Sequence, residues 1–142
     1  MSSPGVFNDF VYVGGYDHNV YCFNAVSGEV VWKFKTKNQI ASSPAIADET
    51  VFIGSLDGKL YALDAFTGEK KWRYHTDYID YSSPAVANGF VYIGSYGGTV
   101  FALGNTTGLD FFSIGLRIFL LTFLFFIAAV IIKKKQSRKP KN

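Results

Sequence analysis

Few side chains in this sequence are equipped to do chemistry. There are two histidines, His18 and His75, one cysteine, Cys22, and eleven acids, scattered singly except for the neighbours Asp48 and Glu49. A metal centre needs several His, Cys or carboxylate ligands at close spacing. Cys22 follows His18 by four residues, but no second histidine lies near either one, and the two histidines do not recur at matching places. The run "YDHN" at 16–19 has donors for a cation, but a polar hairpin turn accounts for it with less. Asp57 sits in a similar turn, "SLDGK". The glycines around 94–98 are followed by no helix whose N-terminus would meet a phosphate. Cys22 stands where the chain later has Ala62 and Ala102, so it reads as a small buried thiol rather than a nucleophile.

The segments that must position these residues repeat. "SSPGVFNDFVYVGGYDHNVYCF" from Ser2, "SSPAIADETVFIGSLDGKLYAL" from Ser42 and "SSPAVANGFVYIGSYGGTVFAL" from Ser82 are copies forty residues apart. Within each, short β-branched and aromatic runs such as "FVYVG" read as strands, separated by turn clusters that include Asp57-Gly58 and Gly97-Gly98. A further turn with Gly28, Gly68 or Gly108 in register leads to "VVWKFK", "KKWRYH" or, in the third copy, "LDFFSI". Four strands in about forty residues is the size of one β-propeller blade. A parallel β-helix would have shorter rungs and fewer hairpins. The expectation is an all-β array of about three four-stranded blades at 2–41, 42–81 and 82–110, the third without a proper outer strand.

"ALDAFTGEKKW", with Ala62, Asp64, Thr67, Gly68 and Trp72, resembles the tryptophan-docking motif of the pyrroloquinoline quinone (PQQ) type propeller repeats. "CFNAVSGEVVW" is a softened copy with Asn24, Ser27, Gly28 and Trp32; "ALGNTTGLDFF" keeps Ala102, Thr107 and Gly108 but has Gly104 for the Asp and Phe112 for the Trp. The resemblance implies that each Trp packs between adjacent blades while the Asp and the Thr-Gly turn pin the strands around it. Quinoprotein dehydrogenases of this superfamily also carry an adjacent Cys-Cys pair, calcium ligands and a catalytic Asp. This sequence has no Cys-Cys pair, so the repeat implies no catalytic residue, no cofactor and no metal.

Charge divides the chain. Up to Asp110, seven basic residues stand against all eleven acids, whereas Arg117 and six basic residues after Ile132 have no acid among them. The repeats therefore form a mildly acidic body without a basic face, which excludes nucleic acid as a partner. From Phe111 to Ile132 the only charge is Arg117, and 22 residues of helix would span a bilayer core. The expectation is a single transmembrane helix over 111–132, flanked by Arg117 and by Lys133, Lys134 and Lys135, with 133–142 as a basic tail on anionic lipid. The positive-inside rule places that tail in the cytoplasm and the repeats outside. "MSSPGVFNDF" does not read as a signal peptide, and the alternative is a tail anchor with the blades in the cytoplasm.

Propellers close with about four to eight blades, so three imply either a piece of a longer propeller or completion by self-association. The function expected is a non-catalytic, membrane-anchored propeller module that binds or scaffolds proteins at the cell surface. The alternatives are the ectodomain of a membrane sensor with a separate cytoplasmic partner, and the remnant of a membrane-tethered quinoprotein dehydrogenase.

Overall fold

The computed structural model describes residues 2–79, 81–105 and 127–133. They form three four-stranded antiparallel sheets. The first holds β1 (Gly5–Phe7), β2 (Phe10–Gly14), β3 (Asn19–Asn24) and β4 (Val30–Lys35) in chain order. The second holds β5 (Ala45–Ala47), β6 (Thr50–Ser55), β7 (Lys59–Asp64) and β8 (Lys70–His75). The third holds β9 (Ala85–Ala87), β10 (Phe90–Gly94), β11 (Thr99–Asn105) and β12 (Ile127–Lys133). The short inner strands lie side by side, β1 against β5 and β5 against β9, as in a run of propeller blades.

The first hairpin of each sheet has a two-residue turn, at Asn8-Asp9, Asp48-Glu49 and Asn88-Gly89. Asp48 and Glu49 take φ of 47° and 54°, and Asn88 and Gly89 take 51° and 75°. These positive values suit the right-handed twist of a tight hairpin. The outer strands share a second device. A bulge between Cys22 and Phe23 aligns Trp32 opposite Cys22, and the same bulge between Ala62 and Leu63 aligns Trp72 opposite Ala62.

Strand alternation gives each sheet two faces, and the core lies between sheets. One cluster joins Tyr12, Val20, Cys22 and Trp32 of the first sheet to Val51, Ile53, Tyr61, Leu63 and Ala65 of the second. The other joins Phe52, Leu60 and Ala62 of the second to Val91, Ile93, Phe101 and Leu103 of the third. Consecutive residues of β6 thus serve opposite neighbours, and all six are buried. A single blade has no partner for either face, so its stability depends on its neighbours.

Two expectations need correction. The outer strand of the third sheet is β12, which pairs with β11 from Asn105↔Ile127 to Thr99↔Lys133; the third blade therefore reaches beyond residue 110. Residues 127–132 consequently do not continue a membrane-spanning helix. "IAAVII" is short, apolar and β-branched, a composition that hydrophobicity alone cannot divide between strand and helix. Pairing satisfies the row of backbone groups that β11 would otherwise leave open. Among the described residues no helix is long and apolar enough to cross a membrane. The rest of the expected span, 111–126, lies outside the described residues, as do Arg117, Lys134 and Lys135. Lys133 ends β12 opposite Thr99.

Candidate functional site

The junction between the first two blades is the most fully built part of the molecule. Trp32 is 8% exposed, and its Nε1–H donates to the carbonyl of Ala65 at 2.9 Å. The hydroxyl of Tyr12 donates to the same carbonyl at 3.1 Å. The indole lies flat against Gly68, where an added Cβ would come within 2.6 Å of the ring. The glycine is required twice, for this contact and for its φ of +73°. Burial pushes the Tyr12 hydroxyl well above the usual tyrosine range, and it pushes the Cys22 thiol up to about 11. Cys22 is therefore a packing residue at neutral pH.

The turn that carries Ala65 and Gly68 is held by Asp64. Its Oδ1 accepts the backbone N–H groups of Phe66 and Thr67, each at 3.0 Å, and Lys71 lies 3.4 Å from Oδ2. The Thr67 N–H, then those of Phe66 and the Lys71 side chain, hold this carboxyl below its ordinary range. Asn24 Oδ1 does the same for Val26 and Ser27, each at 2.9 Å. Lys71 Nζ also donates to the carbonyl of Glu49 at 3.0 Å, tying the turn to the inner hairpin. Gly104 occupies this position in the third blade, where a Cβ would meet the ring of Phe90 at 2.5 Å. Trp72 is half-buried and packs on Phe52 with ring centroids 5.7 Å apart. Thr107 and Gly108 lie outside the described residues.

The serine pairs do work that the sequence reading left unassigned. The first serine pins its own blade: Ser2, Ser42 and Ser82 accept the N–H of Gly14, Gly54 and Gly94 at 3.1–3.2 Å. The second joins blades: Ser3 N–H donates to Ser43 Oγ at 2.8 Å, and Ser43 N–H to Ser83 Oγ at 2.9 Å. The signal was the identity of "SSP" at a spacing of forty, a pattern that marks a contact made once per blade.

At one end of the blades lie the second hairpin turns and the connections between sheets. Asp57 Oδ2 accepts the Tyr61 hydroxyl at 2.6 Å and the Lys37 N–H at 3.2 Å, bridging two blades. Its Oδ1 is buried with no partner among the described residues, and Lys59 is the nearby cation at 3.7 Å from Oδ2. Asp17 bonds Tyr21 and Asn19, and those bonds hold it below the usual carboxylate range. His75 Nδ1 accepts the Asp77 N–H at 3.3 Å. Among the described residues no group of three or more His, Cys, Asp and Glu could hold a metal. The same end displays Tyr78 and Tyr96, 51% and 77% exposed, with rings 6.1 Å apart. The Tyr96 N–H donates to the Tyr78 carbonyl at 2.9 Å, which fixes the two loops together.

The repeat geometry finds its match in known proteins. The family described as outer membrane protein assembly factor BamB matches residues 1–110. The chain belongs to this family. Among solved structures it is similar to BamB from Moraxella catarrhalis, at 30% identity and a TM-score of 0.61 over 70% of this chain. It is also similar to the quinohemoprotein alcohol dehydrogenase ADHIIG from Pseudomonas putida HK5, at 26% identity and 0.61 over 74%. A europium-containing methanol dehydrogenase, at 24% identity and 0.63 over 71%, shares the fold. The chain spans 31% of the BamB chain, 22% of the methanol dehydrogenase and 18% of the alcohol dehydrogenase. No curated protein matches the sequence significantly. The BamB-like repeat and the propeller-like fold are thus established on both sequence and structure.

Proposed function

We propose that this chain is a non-catalytic, protein-binding part of a β-propeller that serves as a scaffold in assembling envelope proteins. The observation that carries the reading is the loop end around Tyr78 and Tyr96. Exposed tyrosines offer large, rigid contact area at low entropic cost, and they sit on loops fixed to a stiff sheet scaffold. Asp57 and Asp64, by contrast, are engaged in bonds between strands, turns and blades. Family membership supports an assembly role, since the matching family is described as an outer membrane protein assembly factor. An envelope location rests on the same likeness. The single-pass topology expected from hydropathy competes with β12 for residues 127–132.

The test is photo-crosslinking in native envelopes with a photoreactive residue at Tyr96, using Lys33 on an outer strand as the control position. The reading requires discrete protein adducts from position 96 and none from position 33. Absence of adducts at 96, or quinone-dependent dye reduction by the purified chain, would refute it.

A further inference from the structure

Net charge along the repeats predicts no basic face, but the fold builds one, because charges mixed in the sequence separate by strand. Five of the seven basic residues before Asp110 stand on the outermost strands, Lys33 and Lys35 on β4 and Lys70, Lys71 and Arg73 on β8. Neither strand carries an acid. Every acid among the described residues stands in a turn or connection, except Asp64 at the end of β7. Alternation fixes where the cations point. Trp32 and Phe34 face the second blade, at Ala65 and Tyr61, and Tyr74 faces the third, at Phe101. Lys33 and Lys35, and Arg73 and His75 forty residues later, therefore take the opposite side of their strands, and all four are exposed. Arg73 stays exposed with the first blade packed on its sheet, so a neighbouring blade leaves this row on the outer wall.

Two further properties set this wall apart from an ordinary solvated edge. Among the described residues only Lys59 and Lys71 have a carboxylate within ion-pair distance, so the charge of Lys33, Lys35, Lys70 and Arg73 is not balanced locally. Beside the lysines of β4, Val30 and Val31 are 52% and 46% exposed, and Val26 in the preceding turn is 88% exposed. Charges that only guard an open strand edge can be of either sign and need no exposed aliphatic neighbours. Cations interleaved with aliphatic side chains fit the boundary of an anionic bilayer, where phosphates lie over acyl chains. Neither strand has an exposed Trp, Tyr or Phe to stack on a nucleic-acid base. We propose that the outer wall formed by β4 and β8 docks on an anionic bilayer surface, with Lys33, Lys35, Lys70 and Arg73 on lipid phosphates and Val30 and Val31 at headgroup level. This wall is a different surface from the tyrosine loops, and the proposal stands whatever those loops bind.

The test places a polarity-sensitive fluorophore on the full chain through Val31→Cys, with Cys22→Ala so that a single thiol is labelled. A local readout is needed because the basic run at 133–142 can itself draw the chain to anionic lipid. With phosphatidylcholine vesicles containing one-third phosphatidylglycerol, the label should shift to the blue, and high salt should weaken the shift. Pure phosphatidylcholine should leave it unmoved. Each of Lys33→Gln, Lys35→Gln, Lys70→Gln and Arg73→Gln should raise the lipid concentration at half-shift by about fivefold. Lys33→Arg and Lys35→Arg should leave it unchanged, and thermal melts verify that every variant is folded. No shift at position 31, or a shift that survives all four glutamines together, would overturn the proposal. A stronger response of the same label to duplex DNA than to vesicles would assign the wall to nucleic acid and overturn it too. Aggregation of the neutralised chain, with no vesicle response in the parent, would leave the lysines as guards of an open strand edge, and would likewise overturn it.

Discussion

Trp32→Ala is the substitution whose cost follows most directly from the geometry. The side chain is 8% exposed, packs on Tyr12 with centroids 5.8 Å apart, and covers Gly68. Removing a buried indole typically costs about 3–5 kcal/mol. For a domain of this size that lowers Tm by roughly 4–8 °C per kcal/mol. Trp32→Phe separates the packing from the hydrogen bond. The Ala65 carbonyl would keep the Tyr12 hydroxyl at 3.1 Å, so the lost bond should cost only about 0.5–1.5 kcal/mol beyond the change in ring size. Tyr12→Phe alone leaves the Trp32 donor in place and should be similarly mild. The double variant leaves the Ala65 carbonyl buried without a donor. Its cost should then exceed the sum of the singles by about 1–2 kcal/mol, within the penalty for an orphaned buried acceptor. Equilibrium unfolding in urea, with the midpoint and slope compared across the parent chain and the four variants, reads all of this. A Trp32→Ala cost below about 1 kcal/mol, against the ~3–5 expected for a buried indole, or strict additivity in the double variant, would refute the shared-acceptor reasoning.

Three further predictions concern the turns and the thiol. Because Asp64 has a depressed pKa in the folded state, its stabilising contribution is present above the unfolded carboxylate value and fades as pH falls through the folded one. Asp64→Asn should keep the turn, as Asn24 does, while flattening the loss of stability below about pH 4; Asp64→Ala should lose the turn's side-chain bonds at every pH, seen in urea midpoints from pH 3 to 7. Glu49, held at φ 54° without glycine, should give a protein more stable by about 0.5–1 kcal/mol as Glu49→Gly, seen as a higher Tm, and a lower Tm would contradict the strain. Cys22 should resist Ellman's reagent in the native state and react fully in urea, since burial raises its thiol to about 11; rapid labelling of folded protein at pH 8 would contradict its place in the core.

The sequence made the strands, the turns and the repeat period readable, because alternation and glycine placement are local properties. The recurrence of Trp32 with Trp72 and of Gly28 with Gly68 is legible for the same reason, since each pair stands forty residues apart. What was not readable depended on partners far away in the chain. That Ser43 bonds Ser3 and Ser83 is a relation between blades, and no single repeat announces it. Gly104 stands where the motif has Asp, and the sequence does not show that the ring of Phe90 fills the space a side chain there would need. The last residues of the apolar run, 127–132, differ from the expectation for a physical reason. "IAAVII" is hydrophobic enough for a bilayer and β-branched enough for a strand, and only the open edge of β11 decides between them.

The central claim is that the described residues form three four-stranded blades, the last closed by β12. Carbon-13, oxygen-18 labelling of the Ala128 and Ala129 carbonyls, followed by isotope-edited infrared spectroscopy of the full chain with and without lipid vesicles, tests it most directly. The account predicts the strand amide I position for both carbonyls in either condition, since Ala128 pairs with Gly104 and Ala129 with Leu103. A helical position, and above all one that resists exchange only when vesicles are present, would contradict it and return these residues to the membrane.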